Sequence, residues 1–344
     1  IPALEGIYIR AGVKLTLSGY NLETGITISV DAEIQQTGAC IMPSRLFFDI
    51  IRKLPDDEVT VSVDESFRVS IRGGISSFSI TAMSSEDYPE LPEVESDKGI
   101  SLPQNELKAM IGGTSFAVSE NQARPIHTGC LFEVEDSSIT VVAVDGYRLA
   151  LRRWKSEEPI GRTLKFVVPA AALKEAEKIL GDTDDPCTFF LGSKHILFTI
   201  GEATLVCRLL EGEFLDWRRV LPQNQPVKLA VNVAKMTDSI ERVGLIISEK
   251  LKSPVRCKFG ENTADFRSVS TIGEAHDVCQ IAGDGQDMEI GFNCRYLLDA
   301  LRAIPDAECS LELINGLSPI VMNPCDGSER YSYMVLPVRL KAGE

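Results

Sequence analysis

The chain reads as an α+β protein of three tandem domains, mostly antiparallel sheet with two helices per domain. Two repeats and one change of pattern predict this. RLFFDIIRKLPDDEVTVSV, from Arg45 to Val63, returns without a gap as RYLLDALRAIPDAECSLEL, from Arg295 to Leu313, 250 residues further on. Arg45/Arg295, Asp49/Asp299, Arg52/Arg302, Pro55/Pro305, Asp56/Asp306 and Glu58/Glu308 are identical in the two copies. A weaker copy, AALKEAEKILGDTDDPCTFFL from Ala171 to Leu191, lies 126 and 124 residues from the other two. A fixed period reports repeated architecture. In each copy apolar residues at helical spacing give way to a strand-like run.

Taken in order, Ile1 to Val30 alternates apolar and polar residues in short runs broken by Gly12, Gly19 and Gly25, as strands do. IPALEGIYI at the start matches RPIHTGCLF from Arg124. In the second and third repeats about 25 residues precede this pattern, including QNELKAMIG and NVAKMTDSIER. The first repeat has no such piece, so a strand and a helix of the first domain are expected to be absent from this chain. Next, Pro43 and Ser44 start a helix that Pro55 stops. Leu46, Phe47, Ile50, Ile51 and Leu54 form its apolar face, and Arg45, Asp49 and Arg52 the opposite one. Further helices are predicted over 104–112, 171–180, 232–242 and 295–304. SSEDYPELPEVESDKG and EGEFLDWRRVLPQNQP, rich in acid and proline, mark two boundaries. The domains are then 1–96, 97–222 and 223–340, with a tail at 341–344.

At 344 residues, a prior of roughly 150 per domain allows two or three domains, and the repeat selects three. The nine cysteines stand singly without a Cys-x-x-Cys pair, which points to a reduced intracellular protein. The longest apolar run, Phe166 to Leu173, is too short to cross a bilayer. A net charge of −15 opposes a protein that grips nucleic acid over its whole outer surface. The average hides a contrast, because the five predicted helices together carry +3 and the remainder −18.

Catalytic chemistry is not visible. Neither phosphate-cradling glycine motif occurs, and no Gly-x-Ser-x-Gly. His127, His195 and His276 lack metal spacing, and Asp182, Asp184 and Asp185 fall in a turn without the glycine and distal glutamate of a calcium loop. VDGYRL, Val144 to Leu149, reads first as an Asp-Gly hairpin, and YMVLPVRL, Tyr333 to Leu340, as an edge strand carrying its permitted proline. On residues alone, an enzyme of unrecognised type and a peptide-only adaptor stay open beside a DNA-binding ring. The missing constellation argues against the first, and the basic helix faces against the second.

With the three-domain repeat, VDGYRL, FLDWRRVLP, MEIGFNCRYLLDAL and the terminal YMVLPVRL together make the chain resemble the bacterial DNA polymerase III beta subunit, the sliding clamp. The resemblance covers Ile1 to Leu340. It implies three DNA-clamp domains, with helices on the inner face and antiparallel sheets outside, closing head to tail into a homodimeric ring around double-stranded DNA. It also implies a non-catalytic processivity factor without cofactor or metal, cytoplasmic and without membrane contact. The implied partners are the polymerase III catalytic subunit, the clamp loader and other clamp-motif proteins.

Carried over by position, the resemblance places a partner-peptide pocket at His127, Val144, Gly146, Tyr147, Arg148, Leu149, Leu215, Arg219, Val220, Leu251, Asn293, Tyr296, Leu317, Met334, Val335, Leu336, Pro337, Val338, Arg339 and Leu340. His127 stands where leucine is usual, Val144 where threonine is common and Leu215 where proline is common. Within this pocket Leu149 and Leu336 are expected as partly exposed anchors, Arg148 at the cleft edge, and His127 as the source of a mild pH dependence between about 6 and 7. DNA-facing cations would be Arg45, Arg52, Lys53, Lys108, Arg124, Lys174, Lys178, Arg295 and Arg302. The subunit contact would pair Phe78 and Ile80 with Leu245 and Ile246.

Overall fold

The computed structural model describes residues 2–55, 58–247 and 253–340. Its helices are α1 (Ser44–Lys53), α2 (Gln104–Gly112), α3 (Ala170–Ile179), α4 (Trp217–Val220), α5 (Val233–Gly244) and α6 (Cys294–Arg302). Five of these fall within two residues of the predicted spans. The short α4 lies in a stretch expected to be a boundary. That stretch is anchored because Phe214 and Trp217 are both buried.

The helix starts differ in chemistry although the repeat aligns them. Asn232 caps α5 by accepting from the Lys235 N–H at 3.0 Å, and Asn293 caps α6 by accepting from Arg295 and Tyr296 at 3.0 and 3.3 Å. Ser44 does not cap α1. Its hydroxyl donates instead to the Glu5 carbonyl at 2.8 Å, tying the helix start to the 3-10 turn Pro2–Glu5 at the beginning of the chain.

The chain folds as two compact units, and the second sequence repeat contributes to both. The first unit comprises Ile1–Gln104 and Lys178–Leu209. It holds a nine-stranded antiparallel sheet in the order Met83–Ser84, Gly38–Pro43, Gly6–Ala11, Leu15–Tyr20, Thr24–Val30, Ala203–Arg208, His195–Ile200, Pro186–Leu191, Ile100–Pro103. A smaller sheet pairs Thr60–Val63, Arg68–Gly73 and Ser76–Thr81. One core cluster joins Ile9, Cys40, Met42, Ile50, Val69, Ile71 and Ala82, against which Phe47 and Leu54 of the α1 region pack. Leu46 and Ile51, expected on that buried face, are 48% and 36% exposed. They flank the narrower stripe of Phe47, Ile50 and Leu54 that meets the core.

The second unit comprises Asn105–Glu177 and Leu210–Glu344. Its ten-stranded sheet runs Leu164–Pro169, Gly129–Glu135, Ser138–Val144, Arg148–Lys155, Tyr331–Val335, Ile320–Pro324, Glu308–Leu313, Val227–Asn232, Gly273–Phe292, Val255–Ser270. Tyr331–Val335 is therefore a central strand, not the expected edge strand. It pairs with Arg148–Lys155 on one side and Ile320–Pro324 on the other. Pro337 lies beyond its end, which is where a residue without an N–H fits.

The glycine shared by IPALEG and RPIHTG has a packing reason that recurs in both units. A Cβ on Gly6 would sit 2.3 Å from Ile41 Cγ2 and 2.9 Å from the Met42 carbonyl; one on Gly129 would sit 2.4 Å from the Val168 carbonyl. In each case the glycine faces a proline across the strand pair, Gly6 opposite Pro43 and Gly129 opposite Pro169.

Candidate functional site

The VDGYRL turn and the end of the terminal strand meet in the second unit. Asp145 builds the turn, its Oδ1 accepting from the N–H groups of Tyr147 and Arg148 at 3.0 and 3.1 Å. Gly146 supplies the left-handed residue at φ 89°. The Leu336 N–H then donates to the Tyr147 carbonyl at 2.8 Å, closing the terminal segment onto the turn.

Beneath this junction lies one apolar cluster that includes Val142, Val144, Leu149, Leu151, Phe214, Trp217, Val321 and Met334. Ile126, Val220, Leu221 and Leu336 pack against it. Register explains its make-up, because Val144 pairs with Leu149, Leu149 with Met334, and Met334 with Val321. Partners directly opposite share a face, so the four side chains form one row across four strands.

That row corrects the expected pocket. Val144, Leu149 and Met334 are 3%, 1% and 3% exposed, so they are core under the site and Leu149 is no partly exposed anchor; Val335, 0% exposed, pairs with Arg148 and is buried on the opposite face of the strand. Arg148, expected at the cleft edge, is also buried. Its Nε donates to Asp145 Oδ2 at 2.8 Å and its Nη1 to Asp299 Oδ2 at 2.6 Å. Two carboxylates compensate the desolvation that would otherwise keep a guanidinium in water.

What faces solvent is Tyr147, Leu215 and Val338, with Gly146, Arg219 and Arg339 exposed beside half-buried Val220, Tyr296, Leu336, Pro337 and Leu340. Tyr147 stacks on Tyr296 at 6.0 Å between ring centroids. Val338 bridges Gly291, donating to its carbonyl at 2.8 Å, and a Cβ on Gly291 would strike Leu340. The Asn293 side chain is occupied as the cap of α6. Leu317 is 82% exposed in a separate turn held by Asn315 and is not part of the cluster. Leu251 lies outside the described residues.

His127 is half-buried and packs edge-on against Phe214 at 5.2 Å. Burial, aided by the nearby Arg124, lowers its pKa from the ordinary imidazole value. This moves the expected pH dependence to lower pH than an unperturbed imidazole would give. Stability contributed by neutral His127 is then complete above the unfolded value of about 6.5 and is lost as pH falls through the lower folded value. An NMR titration should give a His127 midpoint below 6.5, and His127→Leu should remove that part of the acid sensitivity.

Sequence reasoning passed over three contributors to the site. Glu133, in the strand Gly129–Glu135, accepts from Trp217 Nε1 at 3.0 Å and Arg218 Nη1 at 2.7 Å, and pairs with Lys165 at 3.2 Å. Phe116 and Asp299 both contact Arg148. Aromatic and acid near a Leu-Pro were visible in FLDWRRVLP, but nothing local names the strand residue that receives them.

The cations expected to face DNA are exposed in each unit, except Lys108, which is half-buried. Arg52 lies over the Phe48 ring at 5.5 Å, and Arg302 pairs with Glu241 at 2.8 Å. Of the expected subunit-contact residues, Phe78 and Leu245 are 39% and 83% exposed, while Ile80 packs against the first unit's core. Ile246 is half-buried. Among the described residues there is no cluster of three or more His, Cys, Asp or Glu suited to a metal, and no helix long and apolar enough to cross a membrane.

Models of the DNA polymerase III beta subunit match in three consecutive pieces, the N-terminal domain over residues 1–92, the central domain over 101–216 and the C-terminal domain over 218–339. A beta sliding clamp of Staphylococcus epidermidis is 33% identical over 355 residues, covering 98% of this chain and 92% of that protein. The chain belongs to the DNA polymerase III beta subunit family. Like other beta subunits it consists of three tandem clamp domains and is non-catalytic. A Eubacterium rectale structure described as a putative beta subunit superposes with a TM-score of 0.92 at 32% identity, covering 98% of this chain and 92% of that one. The Bacillus subtilis sliding clamp superposes at 0.93 with 29% identity, covering 99% and 93%. A Pseudomonas aeruginosa clamp bound to griselimycin, 27% identical with a TM-score of 0.92, covers 99% and 92%.

Proposed function

We propose that this clamp-family chain encircles duplex DNA as a homodimeric ring, slides without sequence preference, and tethers the polymerase III catalytic subunit, the clamp loader and other clamp-motif proteins through its peptide groove. The observation that carries the reading is the repeated basic helix face, exposed Arg45 and Arg52 on α1 and exposed Arg295 and Arg302 on α6, in a chain of net charge −15. Helices of this kind meet phosphates loosely, and phosphate contacts position a protein without reading bases. Lys53, Lys108, Arg124, Lys174 and Lys178 belong to the same proposed surface.

Ring closure requires a heterologous contact, which we assign to Phe78 and Ile80 of one protomer against Leu245 and Ile246 of its partner. The proposed domains are 1–96, 97–222 and 223–340, and the proposed location is the cytoplasm. For the groove, support comes from the Tyr147 turn and Leu336 joining over one apolar cluster, and from the griselimycin complex of a related clamp. Apolar lining with few polar groups suits an aliphatic or aromatic peptide anchor.

Clamp loaded on circular DNA tests the reading. It should stay bound while the circle is closed and leave when the circle is cut. Equal retention on closed and cut DNA would show that binding is direct rather than topological, and the proposal would fail.

A further inference from the structure

We propose that Asp299 is a positioning residue of the peptide groove, acting through Arg148 to hold Tyr147 and Tyr296 in place. The inference rests on the groove reading above.

Arg148 is 7% exposed and is gripped from two elements, by Asp145 of its own turn at Nε and by Asp299 of α6 at Nη1, 151 positions away in sequence. Two carboxylates on different edges set the plane of a guanidinium, which one carboxylate leaves free to swing. That plane lies over the Tyr296 ring, 4.4 Å from its centroid, with Phe116 at 5.4 Å. Tyr296 in turn stacks on Tyr147, which is 61% exposed and stands where a docked peptide arrives. Asp299, on the polar face of α6 three positions after Tyr296, thus fixes the cation on which Tyr296 rests and, through Tyr296, the ring of Tyr147.

The internal repeat provides a control. Asp49 is the identical residue of α1, four positions after Arg45 as Asp299 is after Arg295, and among the described residues it has no ion pair. The ion pair is therefore not an obligatory feature of the repeated helix but belongs to the site around Arg148. Arg295 competes little for Asp299, being 74% exposed and 3.9 Å away.

A fluorescently labelled peptide containing glutamine, leucine and phenylalanine, followed by anisotropy, is the probe. Asp299→Asn should weaken binding about tenfold and Arg148→Lys by a similar factor, since lysine lacks the fork that engages both carboxylates. The double variant should bind no more weakly than the worse single, because the two residues act as one unit. Asp299→Glu, which keeps the charge, should recover part of the loss. Parent-like binding by Asp299→Asn, or losses that multiply in the double variant, would overturn the assignment. Failure of the parent itself to bind would overturn the groove reading and the assignment with it.

Discussion

Leu149→Ala destabilises the second unit by about 2–5 kcal/mol, the usual cost of emptying a leucine site in a packed core. Leu149 is 1% exposed at the middle of the row Val144, Leu149, Met334, Val321, so the space it leaves is bounded by strands on both sides. Collapse of the walls is resisted by the hydrogen-bonded ladder, which places the expected loss inside that range rather than below it. Denaturant unfolding followed by tryptophan fluorescence is well suited, since Trp217 belongs to the same cluster. Leu336→Ala is the contrast. Leu336 is partly buried against the cluster, so its truncation should leave the unfolding midpoint near the parent's while weakening peptide binding by about 1–3 kcal/mol. A Leu149→Ala protein as stable as the parent would mean that the row is not the core of this unit.

Glu133→Ala should cost about 1–3 kcal/mol, because it leaves the buried Trp217 N–H without an acceptor. Glu133→Gln separates charge from hydrogen bonding. Burial acts to raise the Glu133 pKa, but hydrogen bonds from Trp217, Arg218 and Lys165 outweigh it and leave the carboxyl below its ordinary value. A carboxylate depressed in the folded state contributes stability that is complete above the unfolded value of about 4.3 and is lost as pH falls through the folded one. The difference between parent and Glu133→Gln should therefore be largest near neutrality and shrink in acid. A difference that is constant from pH 7 to below pH 3 would remove the charge from this account. Because α4 carries Val220 and is followed by Leu221, its release should also loosen one wall of the groove.

Much of the fold was legible before any coordinates. Helix limits came within two residues because proline, asparagine and the apolar spacing act locally on the backbone. The glycine of IPALEG and RPIHTG was visible as a match, and its cause, a carbonyl too close for a Cβ, became visible only in the folded strand pairs. The site was legible as a set of segments, through VDGYRL, FLDWRRVLP and YMVLPVRL, but not side chain by side chain. Leu149 and Arg148 were expected at the rim because a short polar turn carries them, whereas the strand buries Leu149 in the apolar cluster on one face and Arg148 against Asp299 and Phe116 on the other.

By itself the sequence determined the three-domain repeat, the position and polar faces of the helices, the Asp-Gly turn and the family. These depend on period, local backbone chemistry and motif, all of which are written along the chain. The tertiary structure alone decided that the terminal strand is central in a ten-stranded sheet, that Arg148 is neutralised by Asp299, and that Trp217 finds Glu133. Burying a charge or an indole N–H is unfavourable in isolation and becomes favourable only when a distant partner arrives. Which partner arrives is set by the packing of strands and helices from remote parts of the chain.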